Sequence, residues 1–125
     1  VIYGIGTDIV KIARVARPLA RYGQRFAMHI LSCAELPELA MQPNPAVWLA
    51  KRFAAKEAFV KALGTGIVSP ANLTNLTITH DAVGKPGFEL APELASLLMA
   101  RGIRNIHLSI ADERDVACAF VILES

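Results

Sequence analysis

A chain of 125 residues, 54% apolar and 19% charged, is long enough to close one full hydrophobic core. A formal net charge of +2 and 6% aromatic residues supply neither the broad basic face nor the stacking rings of an RNA-binding module. No apolar run approaches the ~20 residues that cross a bilayer, and no secretory pattern opens the chain, so a cytoplasmic protein is expected.

Val1-Ile2-Tyr3-Gly4-Ile5-Gly6 reads as a buried strand broken by two glycines. Glycine inside a strand marks close approach of other backbone or of a ligand. Thr7-Asp8 comes next, before an apolar-periodic helix expected over 9–22. Asp8 is therefore either a helix cap or a strand-end carboxylate of the kind that binds metal. Ile9, Ile12, Val15, Ala16 and Leu19 form the inward face of that helix, and Pro18 implies a kink or an early end. Arg14, Arg17 and Arg21 share one stripe, which Arg25 extends if the helix resumes after Gly23. With no acidic residue nearby, the stripe is either a solvated face or a surface for an acidic protein.

Ser32-Cys33-Ala34-Glu35 is a capping box opening another short helix. Cys33 and Cys118 lack metal-ligand spacing and read as reduced, small apolar residues. The central helix follows. Asn44 stands at its N-cap, Pro45 at its first position and Gly64 at its left-handed exit. At ~100° per residue, Ala50, Ala54, Ala58 and Ala62 make a ladder of small side chains against which a neighbour packs closely. Trp48, Phe59 and Leu63 form a core stripe.

Lys51, Arg52, Lys56 and Lys61 put four positive charges on this helix, with Glu57 the only negative one. A solvated helix with one Glu57–Lys61 pair, worth ~0.2–0.5 kcal/mol, is the ordinary reading. The sharper one is an anionic-ligand site, in which backbone N–H groups of Gly64-Thr65-Gly66 approach phosphate.

Beyond the loop at 69–72, Leu76, Ile78 and His80 alternate with threonines as a half-buried strand. A turn over 81–87 leads into a strand through Phe88 and Leu90, and Pro92 opens a helix that Gly102 closes. Strands over 106–110 and 116–123 make a hairpin around a polar turn. The mixture has no βαβ rhythm. It predicts a single α+β domain over residues 1–125, with a largely antiparallel sheet packed on the long central helix. His29, His80 and His107 lack metal-ligand spacing, and no Walker loop, dinucleotide fingerprint or G-x-S-x-G elbow is present.

Gly4-Ile5-Gly6-Thr7-Asp8-Ile9-Val10, together with Arg52-Phe53-Ala54-Ala55-Lys56-Glu57-Ala58 and Lys61-Ala62-Leu63-Gly64-Thr65-Gly66, resembles the holo-[acyl-carrier-protein] synthases. These are the short bacterial 4′-phosphopantetheinyl transferases. The likeness spans essentially the whole chain, including Gly84-Lys85-Pro86 and the closing hairpin. It implies transfer of the phosphopantetheine arm of coenzyme A to a serine of apo acyl carrier protein, with magnesium and release of adenosine 3′,5′-bisphosphate.

By resemblance, Asp8 and Glu57 are the metal carboxylates, and Lys61 touches the phosphates and stabilises the leaving group. Arg52, Lys56, Gly64, Thr65 and Gly66 hold the nucleotide end, while Lys85, Pro86 and Ser109 line the adenine. Either Glu57 or a metal-bound water takes the serine proton. Members of this short type form homotrimers with coenzyme A between subunits, and the acidic carrier gives the stripe of Arg14, Arg17, Arg21 and Arg25 a partner. Many relatives read Ser-Ile-Ser/Thr-His where this chain has Ser109-Ile110-Ala111-Asp112, so the role of that histidine does not transfer to Asp112. A non-catalytic coenzyme A-binding module is the rival reading. It leaves the joint presence of Asp8 and Glu57 without a purpose.

Overall fold

The computed structural model describes residues 1–125. Strand β1 (Ile2–Lys11) leads directly into helix α1 (Ile12–Tyr22) and, past Gly23, the single turn α2 (Gln24–Ala27). A 3-10 turn at Leu36–Met41 precedes the long helix α3 (Pro45–Leu63), and another at Leu73–Asn75 precedes the hairpin β2 (Leu76–His80) and β3 (Pro86–Leu90). Helix α4 (Pro92–Ala100) and the hairpin β4 (Asn105–Asp112) and β5 (Val116–Glu124) complete the chain.

All strand pairing is antiparallel. One sheet has the order β1-β5-β4, and β2-β3 forms a separate pair. This is the α+β arrangement expected from the pattern. No helix is long and apolar enough to cross a membrane.

The three-stranded sheet lies on α3. Its inward residues include Gly6 and Val10 of β1, Leu108 of β4, and Ala117, Ala119, Val121 and Leu123 of β5, all buried. The alanine ladder faces them, with Ala50, Ala54 and Ala58 fully buried and Ala62 nearly so. The two glycines of β1 complete the fit. A Cβ built on Gly4 would stand 2.0 Å from the Ala62 carbonyl oxygen, and one on Gly6 would stand 1.9 Å from that of Ala58. Helix and strand backbones therefore touch directly.

On its other side α3 meets α1, and Phe59 packs edge-on against Phe88 of β3 with ring centroids 5.1 Å apart. The helix is thus enclosed on nearly every side, with Lys61 its only exposed residue beyond Leu49.

Several local expectations change. Strand β1 runs on through Lys11, so Asp8 is a strand residue rather than a helix cap, and Ile9 belongs to the strand rather than the helix and points away from the core with 67% of its surface exposed. Pro18 does not end α1, which continues to Tyr22. The capping box forms, with Glu35 N–H donating to Ser32 Oγ at 3.3 Å and Ser32 N–H to Glu35 Oε1 at 3.0 Å. It opens a tight 3-10 turn rather than a helix, and Pro37 stands near that turn's start. Asn44 precedes α3 but makes no side-chain cap, whereas Gly64 closes it in the left-handed conformation at φ 81°. Strand β4 extends through Ala111 and Asp112, so the turn of the hairpin is shorter than the pattern suggests.

Gly6→Ala should lose about 3 kcal/mol, because the methyl group has only the α3 backbone to displace. Gly87→Ala meets nothing nearer than the Thr79 hydroxyl at 3.4 Å and should change stability by less than about 0.5 kcal/mol. Urea unfolding of the two variants measures the contrast.

Candidate active site

The contact of β1 with α3 brings together residues some fifty positions apart in the chain. Asp8 faces the helix side of the sheet, in register with Ala119. Its Oδ1 accepts a hydrogen bond from Lys61 Nζ at 3.0 Å, and the same ammonium donates to the Thr7 carbonyl at 3.0 Å. Lys61 therefore pairs across to β1 and not with Glu57 one turn away.

Glu57 is half-buried on α3, where burial and then the nearby negative charge of Asp8 push its carboxyl above the usual range, against an opposing pull from Lys61. Two like charges held together in a partly desolvated place favour a proton or a cation between them. No third carboxylate, histidine or cysteine joins the pair to make a closed metal cage.

Glu57 also borders a cavity of about 310 Å³. Val15, Phe26, Ile30 and Phe53 form most of its apolar wall, with Arg14 and His29 at its edge. The sequence reading placed no function at His29, Phe26 or Phe53. The pattern carries the apolar character of Phe26 and Phe53, not the convergence of α1, α2 and α3 on Glu57.

Two expected nucleotide-binding residues are otherwise engaged. Lys56 is fully buried, and its ammonium donates to Glu35 Oε1 at 2.5 Å and to the Ile30 carbonyl at 2.7 Å. Arg52 is 6% exposed, lies 3.6 Å from Glu35 Oε2 through Nε, and stacks on Trp48 at 4.3 Å from the ring centroid. Neither presents a free charge to a ligand. One turn apart, they share the inward face of α3 and clamp a carboxylate that has itself left water.

Glu35 is completed by the N–H of Ile78, which donates to Oε2 at 2.9 Å. Burial outweighs the attraction of Glu35 and pulls Lys56 down to about 8. The same desolvation lowers Arg52. The capping-box pattern identified Glu35, but its role as the hub joining α3, β2 and the Ile30 segment had no sequence signal.

The remaining expected residues are dispersed. Gly64, Thr65 and Gly66 form the exit loop of α3, in which the Thr65 hydroxyl donates to the Gly66 carbonyl at 2.8 Å. Lys85 and Pro86 belong to the β2–β3 hairpin, and Ser109 lies in register with Phe120 on the sheet face opposite Asp8. Asp112 pairs with Lys51 at 3.7 Å, both side chains well exposed. Arg14, Arg17, Arg21 and Arg25 are all exposed, and none is in an ion pair.

Comparison with known proteins matches residues 4–121 to the model of the 4′-phosphopantetheinyl transferase superfamily. The chain is similar to the holo-[acyl-carrier-protein] synthase of Nitrosospira multiformis, at 55% identity over 123 residues and 98% of each chain. The crystal structure of the Neisseria meningitidis synthase superposes with a TM-score of 0.96 at 49% identity, covering 100% of both chains. A synthase from Bacillus anthracis, solved in complex with coenzyme A (3′,5′-ADP), gives 0.82 at 32% identity over 99% of this chain and 97% of its own.

Glu35→Ala should cost about 3–5 kcal/mol, because it strands a buried ammonium and guanidinium without their counter-charge. The triple change of Glu35→Leu, Arg52→Leu and Lys56→Met, which removes the charges together, should recover most of that loss in a denaturant titration.

Proposed function

The chain belongs to the 4′-phosphopantetheinyl transferase superfamily, and from that premise we infer that it moves the 4′-phosphopantetheine group of coenzyme A to a serine of apo acyl carrier protein. It is then a holo-[acyl-carrier-protein] synthase of fatty-acid biosynthesis, releasing adenosine 3′,5′-bisphosphate, and works in the cytoplasm. The observation that carries this reading is the Asp8–Lys61 ion pair beside Glu57, whose carboxyl feels the charge of both and borders an open cavity.

The serine oxygen attacks the phosphorus that carries the pantetheine. The bond from that phosphorus to the bridging oxygen of the bisphosphate breaks, and the serine proton goes to a base. Charge grows on the leaving phosphate, where positioned cations stabilise it. Lys61 is the exposed cation of the cluster, and its ammonium has a short reach to a phosphate beside Asp8.

Asp8 and Glu57 fit magnesium. That ion takes one or two carboxylates and keeps waters or phosphate oxygens for the rest of its shell, so the absence of a third ligand suits it. Bound there, it supplies Lewis-acid neutralisation of the phosphate charge. Glu57, whose proton affinity is raised by burial, is also suited to accept the serine proton, directly or through a water.

The 64–66 loop holds the nucleotide end. Arg52 and Lys56 support it only indirectly, by fixing α3. Ser109 lies on the sheet face opposite Asp8 within one chain, which accords with a site completed by a neighbouring copy that would also contribute Lys85 and Pro86. A second feature supports a homotrimer. The sheet face opposite α3 exposes Ile5 and Ile9 of β1 beside Phe120 of β5, an uncovered apolar strip with nothing of its own chain above it. Light scattering should read the mass of three chains, and Ile9→Glu should reduce it.

The unpaired arginines of α1 and α2 are the docking surface for the acidic carrier, and Arg14 also borders the cavity beside Glu57. A carrier lying along α1 thereby brings its serine toward the two carboxylates.

Intact-mass spectrometry of apo carrier after incubation with the chain, coenzyme A and magnesium should show the gain of one phosphopantetheine. EDTA or Glu57→Gln should abolish it. Coenzyme A binding without any mass gain would instead establish a binding module. Reversing Arg14 and Arg21 to Glu should raise KM for the carrier at least tenfold while leaving coenzyme A affinity intact, at about 0.5–1 kcal/mol per lost surface charge contact and a similar repulsive penalty.

A further inference from the structure

The exit of α3 carries an electrostatic problem. The last carbonyls of a helix bear a partial negative charge of about half an electron, and the 64–66 loop leaves from that end. A phosphate held by this loop would meet repulsion from the unsatisfied carbonyl oxygens.

One side chain from elsewhere in the chain answers it. Arg101, just past the end of α4, donates from Nη1 to the Leu63 carbonyl at 3.2 Å and to the Tyr3 hydroxyl oxygen at 3.0 Å. The Val60 carbonyl is taken by the N–H of Gly64 at 2.9 Å. The guanidinium thus caps the final residue of α3 while tying that end to β1. No protein group accepts from its Nε or Nη2. Arg101 also borders a cleft of about 420 Å³, whose other walls include Gly64, Thr65, Ser69 and Leu97.

We propose that Arg101 is a positioning residue for the nucleotide end of coenzyme A. It neutralises the carbonyl end of α3, holds the start of the 64–66 loop in place, and turns a repulsive helix terminus into one that tolerates a phosphate. A guanidinium suits the task better than an ammonium, because its fork donates to two acceptors while keeping further N–H groups for the cleft. The inference rests on the reading that this loop holds the nucleotide.

The test measures binding of adenosine 3′,5′-bisphosphate to the full chain by calorimetry, alongside KM for coenzyme A and for the carrier. Arg101→Met should weaken the bisphosphate about tenfold, the size of one charge-assisted hydrogen bond, and raise KM for coenzyme A to match. The KM for the carrier, and kcat at saturating coenzyme A, should stay unchanged. Arg101→Lys, which keeps the charge at the Leu63 carbonyl, should restore most of the affinity. Unchanged bisphosphate affinity in Arg101→Met overturns the proposal, as does an equal rise in both KM values, the mark of a merely structural role. Failure of the unsubstituted chain to bind the bisphosphate overturns the nucleotide reading of the loop, and this inference with it.

Discussion

Direct contact between the β1 backbone and the α3 backbone sets the position of every group in the site. Gly4 and Gly6 leave no Cβ to hold the strand off, and the Ala58 and Ala62 carbonyls occupy that space. With side chains alternating along the strand, Asp8 is the next inward position after Gly6. On the helix Lys61 precedes Ala62, and Glu57 precedes Ala58. The same touching surfaces therefore deliver a carboxylate from one element to the edge of a cation and a carboxylate on the other. A thicker interface would place Asp8 beyond reach of Lys61. Small residues here do the work of a hinge pin, and the chemistry is hung from it.

Of the four cations of α3, Lys51 pairs with Asp112 at the surface, and the other three divide into two groups with opposite physical roles. Arg52 and Lys56 face inward and give their charge to Glu35, at a desolvation cost that appears in the lowered proton affinity of Lys56. Lys61 faces outward and retains most of its solvent contact. Burying the first group fixes the helix rotation, since Glu35 binds Arg52, Lys56 and the Ile78 N–H at once. A helix that cannot rotate keeps Glu57 and Lys61 directed at β1. Buried and exposed charges are neighbours in sequence, yet they lie on different sides of the same cylinder.

Residue pattern alone was enough for the antiparallel α+β architecture, the alanine ladder and the glycine exit of α3, because these depend on local periodicity and on one backbone conformation. It misplaced Ile9 for a physical reason. The outward face of β1 carries Tyr3, Ile5 and Ile9, and the inward face carries glycines and Val10, so the polar/apolar alternation that marks a strand is absent. Apolar side chains on both sides of a strand look like the start of a helix. The burial of Arg52 and Lys56 leaves no local signal because their partner lies about twenty residues upstream, in a capping box that accounts for itself locally. Charge in a sequence carries no sign of burial until its counter-charge is located in space. The family resemblance names Asp8, Glu57 and Lys61 together, but the contact between Asp8 and Lys61 is visible only in the fold.

The outward face of the sheet also explains why Ser109 does not meet Asp8 within one chain. Ser109 shares that face with Phe120 and stands on the far side of the sheet from Asp8. No rearrangement of side chains passes it through a hydrogen-bonded sheet. Either Ser109 has no part in the site, or it serves the site of another copy packed on this face. The exposure of Ile5, Ile9 and Phe120 favours the second, since an apolar strip beside a polar, partner-free serine is what an intersubunit surface leaves when the copies are apart. On that reading one subunit supplies the carboxylates, Lys61 and the 64–66 loop, while its neighbour supplies the wall for the adenine. In the proposed trimer, assembly and catalysis would depend on the same strand, β1, whose inward face packs on α3 and whose outward face carries the exposed Ile5 and Ile9.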